Sequence, residues 1–376
     1  MPHRGLSNMN TLLIGSRKGL FVVEQQAKGR WVVAAHHFAG EPVSQTLADA
    51  RTGTWYAALR LGHFGVKLHK SSDRGKTWQE IASPAMPPRP TTGTWAEDPT
   101  PWNVEMIWSL AAGSVDQPGR LWAGCMPAAL FRSDDSGASW QLCESLWLDE
   151  RRKQWMGGGN DYPGLHSLWV DPRDANRITI AISCGGVWTS SDAGKSWEVI
   201  GKGLKAPYVP AELADDPNTQ DPHRVSVCAA QPDVMWLQHH EGQYRSVDAG
   251  RHWTRLPRNG EVGDFGFAVL AHPSDPKRAW FVPAQADAKR YAPDARMCVL
   301  RTDDGGATAQ VYRKGLPADI AYDLIYRHGL AGASDGNTLG IASTTGGLWV
   351  SEDSGEKWKS VSQNLPPVAS LEFVGN

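Results

Sequence analysis

Three residues of this chain could carry acid–base chemistry, and each stands next to a short apolar run that reads as a β-strand. His166 occurs in GLHSLWV, His223 in DPHRVSV and Asp264 in GDFGFAV. An imidazole beside a carboxylate can act as a general base, and neutral imidazoles with a carboxylate can hold a divalent metal. We therefore assign His166, His223 and Asp264 as candidate catalytic residues. No HExxH-like spacing occurs, so the cofactor is left unknown, with a divalent metal as one possibility.

A second set of polar residues is expected near the same three strands and could bind a ligand. It comprises Arg17, Arg60, His63, Glu105, His239, His240 and Tyr322. Arginines from neighbouring segments can clamp a carboxylate or a phosphate with paired hydrogen bonds. Because His239 and His240 are adjacent, an extended chain would point at most one of them inward. The alternative for these side chains is structural: histidines bonded to backbone carbonyls in a hydrated channel, and arginines on a solvated rim.

The elements that would position these residues are set by a repeated octapeptide of the form S-x-D-x-G-x-[ST]-W. Its copies span residues 71–78, 133–140, 190–197, 246–253 and 351–358, with a degenerate copy at 302–309. The Asp carboxylate and the hydroxyls can bond nearby backbone N–H groups, and the Gly permits a positive φ, so each copy predicts a tight turn. A short apolar run precedes each copy, which predicts a strand–turn–strand hairpin. We deny the six repeated aspartates a catalytic role, because copies in every unit cannot define one site.

The octapeptide resembles the Asp-box (BNR) repeat of sialidases, sortilin-type receptors and photosystem II assembly factors. That resemblance implies a β-propeller, so we predict an all-β fold with seven blades, and six blades as the alternative. A strand at 368–374 is expected to complete the first blade, which otherwise lacks its inner strand, and to close the ring. The segment 321–326 (AYDLIY) is expected to form the inner strand of the seventh blade. The predicted blades span 11–35, 43–82, 104–145, 165–201, 223–257, 264–314 and 320–362.

Four long insertions are predicted to leave the ring on the face opposite the Asp-boxes. They span 83–103, 145–164, 202–222 and 283–297. Repeat proteins commonly bind on the face that carries the insertions, so the site is sought there. The insertion tryptophans Trp95, Trp102, Trp147 and Trp155 either present aromatic faces to a ligand or pin the loops down by packing.

Composition excludes several classes of partner. The formal net charge of -2 gives no basic surface for nucleic acid, and no run of 18 apolar residues suggests a membrane span. Met1 to Asn10 shows no apolar signal region, and the five cysteines form no CxxC, so free thiols and a cytoplasmic location are expected. We treat 1–376 as a single domain.

The sequence supports two functions of different kinds. Segments such as GSRKGLF, LHSLWVDP and GDFGFAVLAHP resemble a bacterial group of sialidase-like Asp-box propellers, although the F/Y-R-I-P arginine motif of sialidases is absent. The first hypothesis is therefore a polar funnel that binds or cleaves a small carbohydrate or acidic ligand, with glycosidase- or lyase-like activity left uncertain. The second is a non-catalytic module that binds a protein partner through its insertions.

Overall fold

Seven antiparallel sheets of four strands each form a ring in the computed structural model, which describes residues 10–375. The predicted seven-bladed propeller is confirmed, and the six-bladed alternative is wrong. The structure does not describe residues 1–9 and 376. The prediction for Met1 to Asn10 therefore lies almost wholly outside the described residues, and so do the two ends of the predicted domain 1–376. Among residues 10–375, no helix combines the length and apolar character that a membrane crossing requires. All five cysteines are free thiols.

The strands follow chain order from the inside of each blade to the outside, except in the first blade. The first four blades contain β1 (Thr11–Ser16), β2 (Gly19–Gln26), β3 (Arg30–His37); β4 (Val43–Asp49), β5 (Thr54–Arg60), β6 (Val66–Ser71), β7 (Gln79–Ile81); β8 (Met106–Ala112), β9 (Leu121–Met126), β10 (Leu130–Ser133), β11 (Gln141–Leu142); and β12 (Leu165–Val170), β13 (Ile178–Ile182), β14 (Gly186–Ser190), β15 (Glu198–Ile200). The remaining strands are β16 (Pro222–Val227), β17 (Met235–His239), β18 (Gly242–Ser246), β19 (Thr254–Arg255); β20 (Gly266–Ala271), β21 (Ala279–Pro283), β22 (Val299–Thr302), β23 (Gln310–Tyr312); β24 (Leu330–Gly332), β25 (Leu339–Ala342), β26 (Leu348–Ser351), β27 (Lys359–Ser362); and β28 (Val368–Phe373). One short helix, α1 (Glu144–Trp147), and 3-10 turns at Ala27–Gly29, Gly62–Phe64, Glu150–Gln154, Pro217–Thr219 and Pro293–Ala295 complete the described secondary structure.

The ring is closed by β28, which supplies the inner strand of the first blade. It pairs antiparallel with β1, with Leu371 opposite Ile14, so the order of this sheet is β28-β1-β2-β3. Leu371 and Ile14 then pack with Leu348 and Val350 of the seventh blade in one apolar cluster. This confirms the predicted closing strand.

The Asp-box turns connect the third and fourth strands of the second to seventh blades. In the first copy, the Ser71 hydroxyl donates to Asp73 Oδ1 at 2.8 Å and accepts from the Gly75 N–H at 2.8 Å. Asp73 also accepts from the Thr77 N–H at 2.9 Å. Two consecutive residues, Arg74 (φ 58°) and Gly75 (φ 82°), take left-handed conformations, so the turn requires one more positive φ than the glycine alone provides. In the degenerate copy, Asp304 Oδ1 likewise accepts from Thr302 Oγ1 at 2.9 Å and from the Thr308 N–H at 3.0 Å.

Apolar packing between blades is continuous around the ring. Each of the seven interfaces between neighbouring blades contains its own cluster of buried side chains. Indole rings such as Trp122, Trp188, Trp236 and Trp280 are almost fully buried there. Burying large aromatic side chains is the main stabilising contribution available to such a ring.

A β-bulge recurs near the same end of the inner strand in the first six blades. The extra residues are Ala369, Ser44, Trp108, His166, His223 and Phe267. A bulge turns the extra side chain out of the alternation of the strand. Several of these side chains then reach the next blade: Ser44 Oγ donates to Ile107 O at 2.8 Å, and His166 Nε2 donates to Pro222 O at 2.8 Å.

The seventh blade differs from the prediction. Its inner strand is β24, not the segment 321–326. Leu324 and Ile325 of that segment are buried, but their apolar pattern serves packing against the sixth blade, where Leu324 contacts Phe267. Residues 321–329 instead cross the central opening of the ring, where Arg327 and His328 contact the third and fourth blades, before the chain joins a sheet at β24. We call 321–329 the crossing segment.

The four predicted insertions leave the sheets after β7, β11, β15 and β21, and a further long connection, 313–329, joins β23 to β24. The first three join the outer strand of one blade to the inner strand of the next, and the fourth joins the second strand of the sixth blade to its third. In an antiparallel sheet these connections emerge at the end away from the Asp-box turns. We call this the loop face, and its central opening the mouth.

Candidate functional site

Three ligand-type side chains converge at the mouth: Asp221, His223 and His240. Asp221 Oδ2 lies 3.4 Å from His223 Nε2 and 3.5 Å from His240 Nδ1. The ligand atoms of all three residues lie within 4.8 Å of one another. The side chains of Asp221 and His223 are 6% and 3% exposed, whereas that of His240 is 24% exposed and faces the loops.

The bulge in β16 explains why His223 points into this group. Pro222 pairs with His239 and Arg224 pairs with Gln238, so His223 is left unpaired between them. Its Nδ1 donates to the Gly266 carbonyl at 2.6 Å, and its ring stacks on Phe267 with centroids 4.5 Å apart. Nε2 is thereby aimed at Asp221.

Asp221 ends the connection from β15 to β16, and backbone contacts orient it. Its Oδ1 accepts from the Cys184 N–H at 3.0 Å, in the turn between β13 and β14. Cys184 takes a left-handed conformation (φ 48°) in that turn. With Oδ1 engaged, Oδ2 is the atom presented to the two imidazoles.

The pKa shifts of the three residues differ in direction and in cause. Burial opposes ionisation of Asp221, but His223, His240 and Arg327 together hold its pKa well below its usual range. Burial lowers the pKa of His223, although Asp221 opposes that shift. The Asp221 carboxylate raises the pKa of His240 despite its partial burial.

Arg327 is the least expected member of the site. It lies in the crossing segment of the seventh blade and is only 7% exposed. Its guanidinium carbon is 5.0 Å from the ring centroid of Trp108 and 5.5 Å from that of Phe267. Within residues 10–375 no carboxylate forms an ion pair with it, and its buried Nε has no hydrogen-bond partner. Burial lowers its pKa, which the nearby Asp221 partly offsets.

The segment Gly157–Gly159 lies across this group. A methyl group on Gly158 would come within 2.9 Å of Cys184 Sγ and 3.5 Å of Asp221 Oδ1. One on Gly159 would come within 3.5 Å of the Arg290 guanidinium, which belongs to the sixth-blade connection and pairs with Asp287. The segment therefore bridges the mouth, and its lack of side chains allows the close approach.

The other candidate catalytic residues are placed differently. His166 is fully buried, and both ring nitrogens are bonded, Nε2 to Pro222 O and Nδ1 to Ser167 Oγ at 2.9 Å. Asp264 is held by Arg255 at 2.9 Å and Arg258 at 3.6 Å. The structure therefore brings His223 into the converging group but not His166 or Asp264.

The predicted ligand-binding residues are spread around the loop face, and only His240 joins the group. His239 is buried beside it, with the N–H groups of Asp221 and Glu241 aimed at its ring nitrogens at 3.2 and 3.1 Å, and burial lowers its pKa to about 3. Arg60 approaches Glu105 at 3.9 Å on another part of the rim.

The remaining three predicted residues are exposed. Arg17 and His63 are exposed in turns of the first two blades. Tyr322 is 62% exposed, with its ring centroid 5.2 Å from that of Tyr291.

The tryptophans of the insertions serve packing. Trp147 and Trp155 are buried, and Trp102 stacks edge-on against Trp147 at 5.7 Å. The Arg152 guanidinium lies 4.5 Å from the ring of Trp95 and pairs with Asp98 at 2.5 Å.

Two surface clefts lie apart from the group formed by Asp221, His223 and His240. One lies between the fifth and sixth blades around Gln243 and Thr308, and the other between the fourth and fifth blades beside Thr179.

Sequence reasoning missed Asp221 and Arg327. The triplet Asp221-Pro222-His223 contained a signal, because residues two apart in an extended chain share a face. The sequence around Arg327, Tyr-Arg-His-Gly, contained no such signal. Arg327 is buried because its segment crosses the central opening of the ring, and no local pattern predicts that crossing.

Comparisons with known proteins agree on the fold. A sequence profile described as the BNR-Asp box repeat matches residues 68–81. An ancestral GH74 enzyme is similar in structure, with 16% identity and a TM-score of 0.54, over 98% of this chain and 40% of that one. The chain thus spans less than half the length of that enzyme.

Two further structures are similar at 12% identity and a TM-score of 0.52. YCF48 bound to D1 peptide covers 96% of this chain and 86% of its own, and YCF48 from Cyanidioschyzon merolae covers 93% and 97%. A search of curated protein sequences gave no match. The chain is a seven-bladed β-propeller with BNR-Asp box repeats, and it shares this fold with GH74 and YCF48 propellers.

Proposed function

We propose that the mouth of the loop face binds a small acidic ligand, such as an acidic sugar, through the guanidinium of Arg327. The observation that carries this proposal is the burial of Arg327 without a carboxylate partner. Asp221 lies close enough to oppose the lowering of the Arg327 pKa, but among the described residues no carboxylate forms a direct ion pair with the guanidinium. A buried charged group without a bonded partner is costly, and the carboxylate of a ligand could supply that partner. Arginine presents a planar fork that matches a carboxylate or a phosphate.

The surroundings of Arg327 favour a small ligand with an apolar or ring-shaped body. Phe267 lies between the cationic side chains, with Arg290 at 5.4 Å and Arg327 at 5.5 Å from its ring centroid. Phe265 and Tyr326 pack edge-on against Phe267 at 5.4 and 5.0 Å. A few polar groups set in an aromatic wall is the usual composition of a small-molecule site.

The proposal is tested by calorimetric titration with matched pairs of compounds: a uronic acid and its neutral parent sugar, and a sugar phosphate and its free sugar. The acidic members should bind and the neutral members should not. Arg327→Met should weaken binding of the acids by about 10- to 100-fold, the cost of losing a charge-assisted hydrogen bond. Arg74→Met, at an exposed arginine of the first Asp-box turn on the opposite face, is the matched control and should bind normally. Equal binding of acidic and neutral members would contradict the proposal.

A second candidate function is docking of a peptide or protein on the same face. It is favoured by the exposure of large apolar side chains there: Phe64 71%, Met156 48%, Tyr208 44%, Ile320 79% and Tyr322 62%. Exposed apolar groups around a concave mouth are typical of interaction surfaces. A partner that co-purifies in stoichiometric amounts should be lost with Ile320→Ser and Tyr322→Ser. Val115→Ser, on the Asp-box face, should retain it, and loss with that control as well would contradict this candidate.

A further inference from the structure

We propose that Asp221, His223 and His240 bind one divalent transition-metal ion of the kind that prefers nitrogen and oxygen ligands, with Zn²⁺ as the leading candidate. Two imidazoles and one carboxylate form a ligand set found for catalytic zinc and for non-haem iron. This inference does not depend on the binding of an acidic ligand by Arg327.

The two separations from Asp221 Oδ2 fit a shared ion better than direct hydrogen bonds. The distances of 3.4 and 3.5 Å from Asp221 Oδ2 exceed the usual range for an N–H···O bond, which is about 2.7–3.2 Å. Two ligand atoms each about 2.1 Å from a tetrahedral ion lie about 3.4 Å apart. By contrast, the exposed pair His252 and Asp248 meets at 2.6 Å, so a direct His–Asp bond in this chain is much shorter.

The hydrogen bonding of His223 fixes which atom faces the carboxylate. The Gly266 carbonyl can only accept, so His223 Nδ1 carries the proton, and Nε2 of the neutral ring presents a lone pair to Asp221 Oδ2. Two lone pairs that face each other in a buried place repel, and either a proton or a metal ion between them removes the repulsion. The separation of 3.4 Å is longer than a protonated pair would adopt and leaves room for the metal ion. A histidine that donates its other nitrogen to a backbone carbonyl is the common arrangement of a metal ligand.

The second carboxylate oxygen and the third ligand complete the arrangement. Asp221 Oδ1 is engaged by the Cys184 N–H, which orients Oδ2 toward the imidazoles. His240 Nδ1 approaches that oxygen from the solvent side, with Tyr208 edge-on to its ring at 4.9 Å. Three protein ligands leave at least one coordination position for water or a ligand, as in catalytic sites.

The net charge of the group determines which ligands it would attract once the metal is bound. One carboxylate and two neutral imidazoles carry one negative charge, so a divalent ion would leave the group with one positive charge. Arg327 lies close by, and the loaded site would therefore attract anions. The ion and the guanidinium would then both attract the acidic group of a bound ligand.

The test is titration of chelator-treated full-length protein with Co²⁺ and with Zn²⁺. Calorimetry should give about one ion per chain, and Co²⁺ should develop the visible absorption of a site with nitrogen and oxygen ligands. Asp221→Asn and His240→Gln should each weaken the metal affinity at least about 100-fold. Losing a residue that only supports a metal ligand costs about 10- to 100-fold, and losing a ligand itself should cost at least as much. His240 is part-exposed, so its variant should fold, which thermal unfolding will verify.

His252→Gln is the matched control, because His252 also contacts an aspartate but has no third ligand-type side chain near it among the described residues. It should bind the metal as the unaltered protein does. Absence of stoichiometric binding, or unchanged binding in the well-folded His240→Gln variant, would overturn the proposal. Binding of the acidic ligand is also measured with metal-free protein. A failure of the metal proposal can then be distinguished from a failure of the proposal for Arg327.

Discussion

Arg327 of the seventh blade lies over the indole of Trp108 of the third blade, with 5.0 Å between the guanidinium carbon and the ring centroid. The contact spans the central opening of the ring. It is a cation–π contact, which contributes about 0.5–2 kcal/mol and does not replace a counter-charge. Arg152, in contrast, is 5% exposed and pairs with Asp98 at 2.5 Å. The two arginines therefore offer a direct comparison.

We predict that Arg327→Met raises the free energy of unfolding by about 1–3 kcal/mol, because it removes a buried polar group that lacks a partner. Arg152→Met should lower it by about 3–5 kcal/mol, since Asp98 would be left buried and unpaired. Urea denaturation of both variants measures the difference. A loss of stability in Arg327→Met comparable to that in Arg152→Met would show that Arg327 is a structural residue.

Glu372 should make stability depend on pH near neutrality. It lies on β28, and its carboxylate accepts from the Ala48 N–H at 2.9 Å and from Thr46 Oγ1 at 3.1 Å. Burial nevertheless raises its pKa to about 7, from 4.5. The folded state therefore favours the protonated form, and its contribution is complete below pH 4.5 and is lost as the pH rises through about 7.

Between about pH 5 and about pH 8 the unaltered protein should lose up to about 3 kcal/mol from this group, at about 1.4 kcal/mol per pKa unit. Glu372→Gln should remove most of that dependence, whereas Glu212→Gln, at an exposed position, should retain it. Urea denaturation at both pH values measures the difference. Identical pH profiles for all three proteins would contradict the prediction.

Gly158→Ala should weaken binding at the mouth by about 10-fold or more while changing stability by less than about 0.5 kcal/mol. The added methyl group would lie 2.9 Å from Cys184 Sγ, so the segment must move away from Asp221. Gly260→Ala is the matched control, because no atom lies within 4 Å of its added methyl group. Calorimetric titration with Zn²⁺ and with the acidic ligand measures the effect. Unchanged affinities for both would contradict a role for this segment.

The Asp-box turns should contribute to acid sensitivity without affecting binding. Hydrogen bonds from Ser196 lower the pKa of Asp192 to about 2, so its contribution is present above pH 3.8 and is lost as the pH falls toward about 2. Asp192→Asn should lower stability by about 1 kcal/mol near neutral pH and flatten the acid limb of the stability curve. Exposed Asp319→Asn should behave as the unaltered protein. A change in ligand affinity with Asp192→Asn would contradict the assignment of the turns to structure alone.

The fold could be predicted from the sequence because each blade repeats one hairpin with a recognisable turn. The site could not be predicted to the same extent, because it depends on irregularities. His166 and His223 occupy corresponding positions in neighbouring inner strands, yet the bulges give one ring two bonds and the other a free nitrogen. The residues beside each histidine account for part of this difference: Ser167 follows His166 and bonds its Nδ1, whereas Asp221, two residues before His223, approaches its Nε2. The other part comes from the neighbouring blades, which supply the carbonyls of Pro222 and Gly266.

Residues 368–373 form the inner strand of the first blade, so the ring cannot close until this segment has been synthesised. During synthesis on the ribosome, one edge of β1 stays uncovered until residues 368–373 have been made. The blades that supply Asp221, His240 and Arg327 can stack earlier, while the circle is still open. A nascent chain that stalls shortly before Val368 would therefore have an assembled mouth but an unclosed ring. The unpaired edge of β1 could then pair with a neighbouring polypeptide.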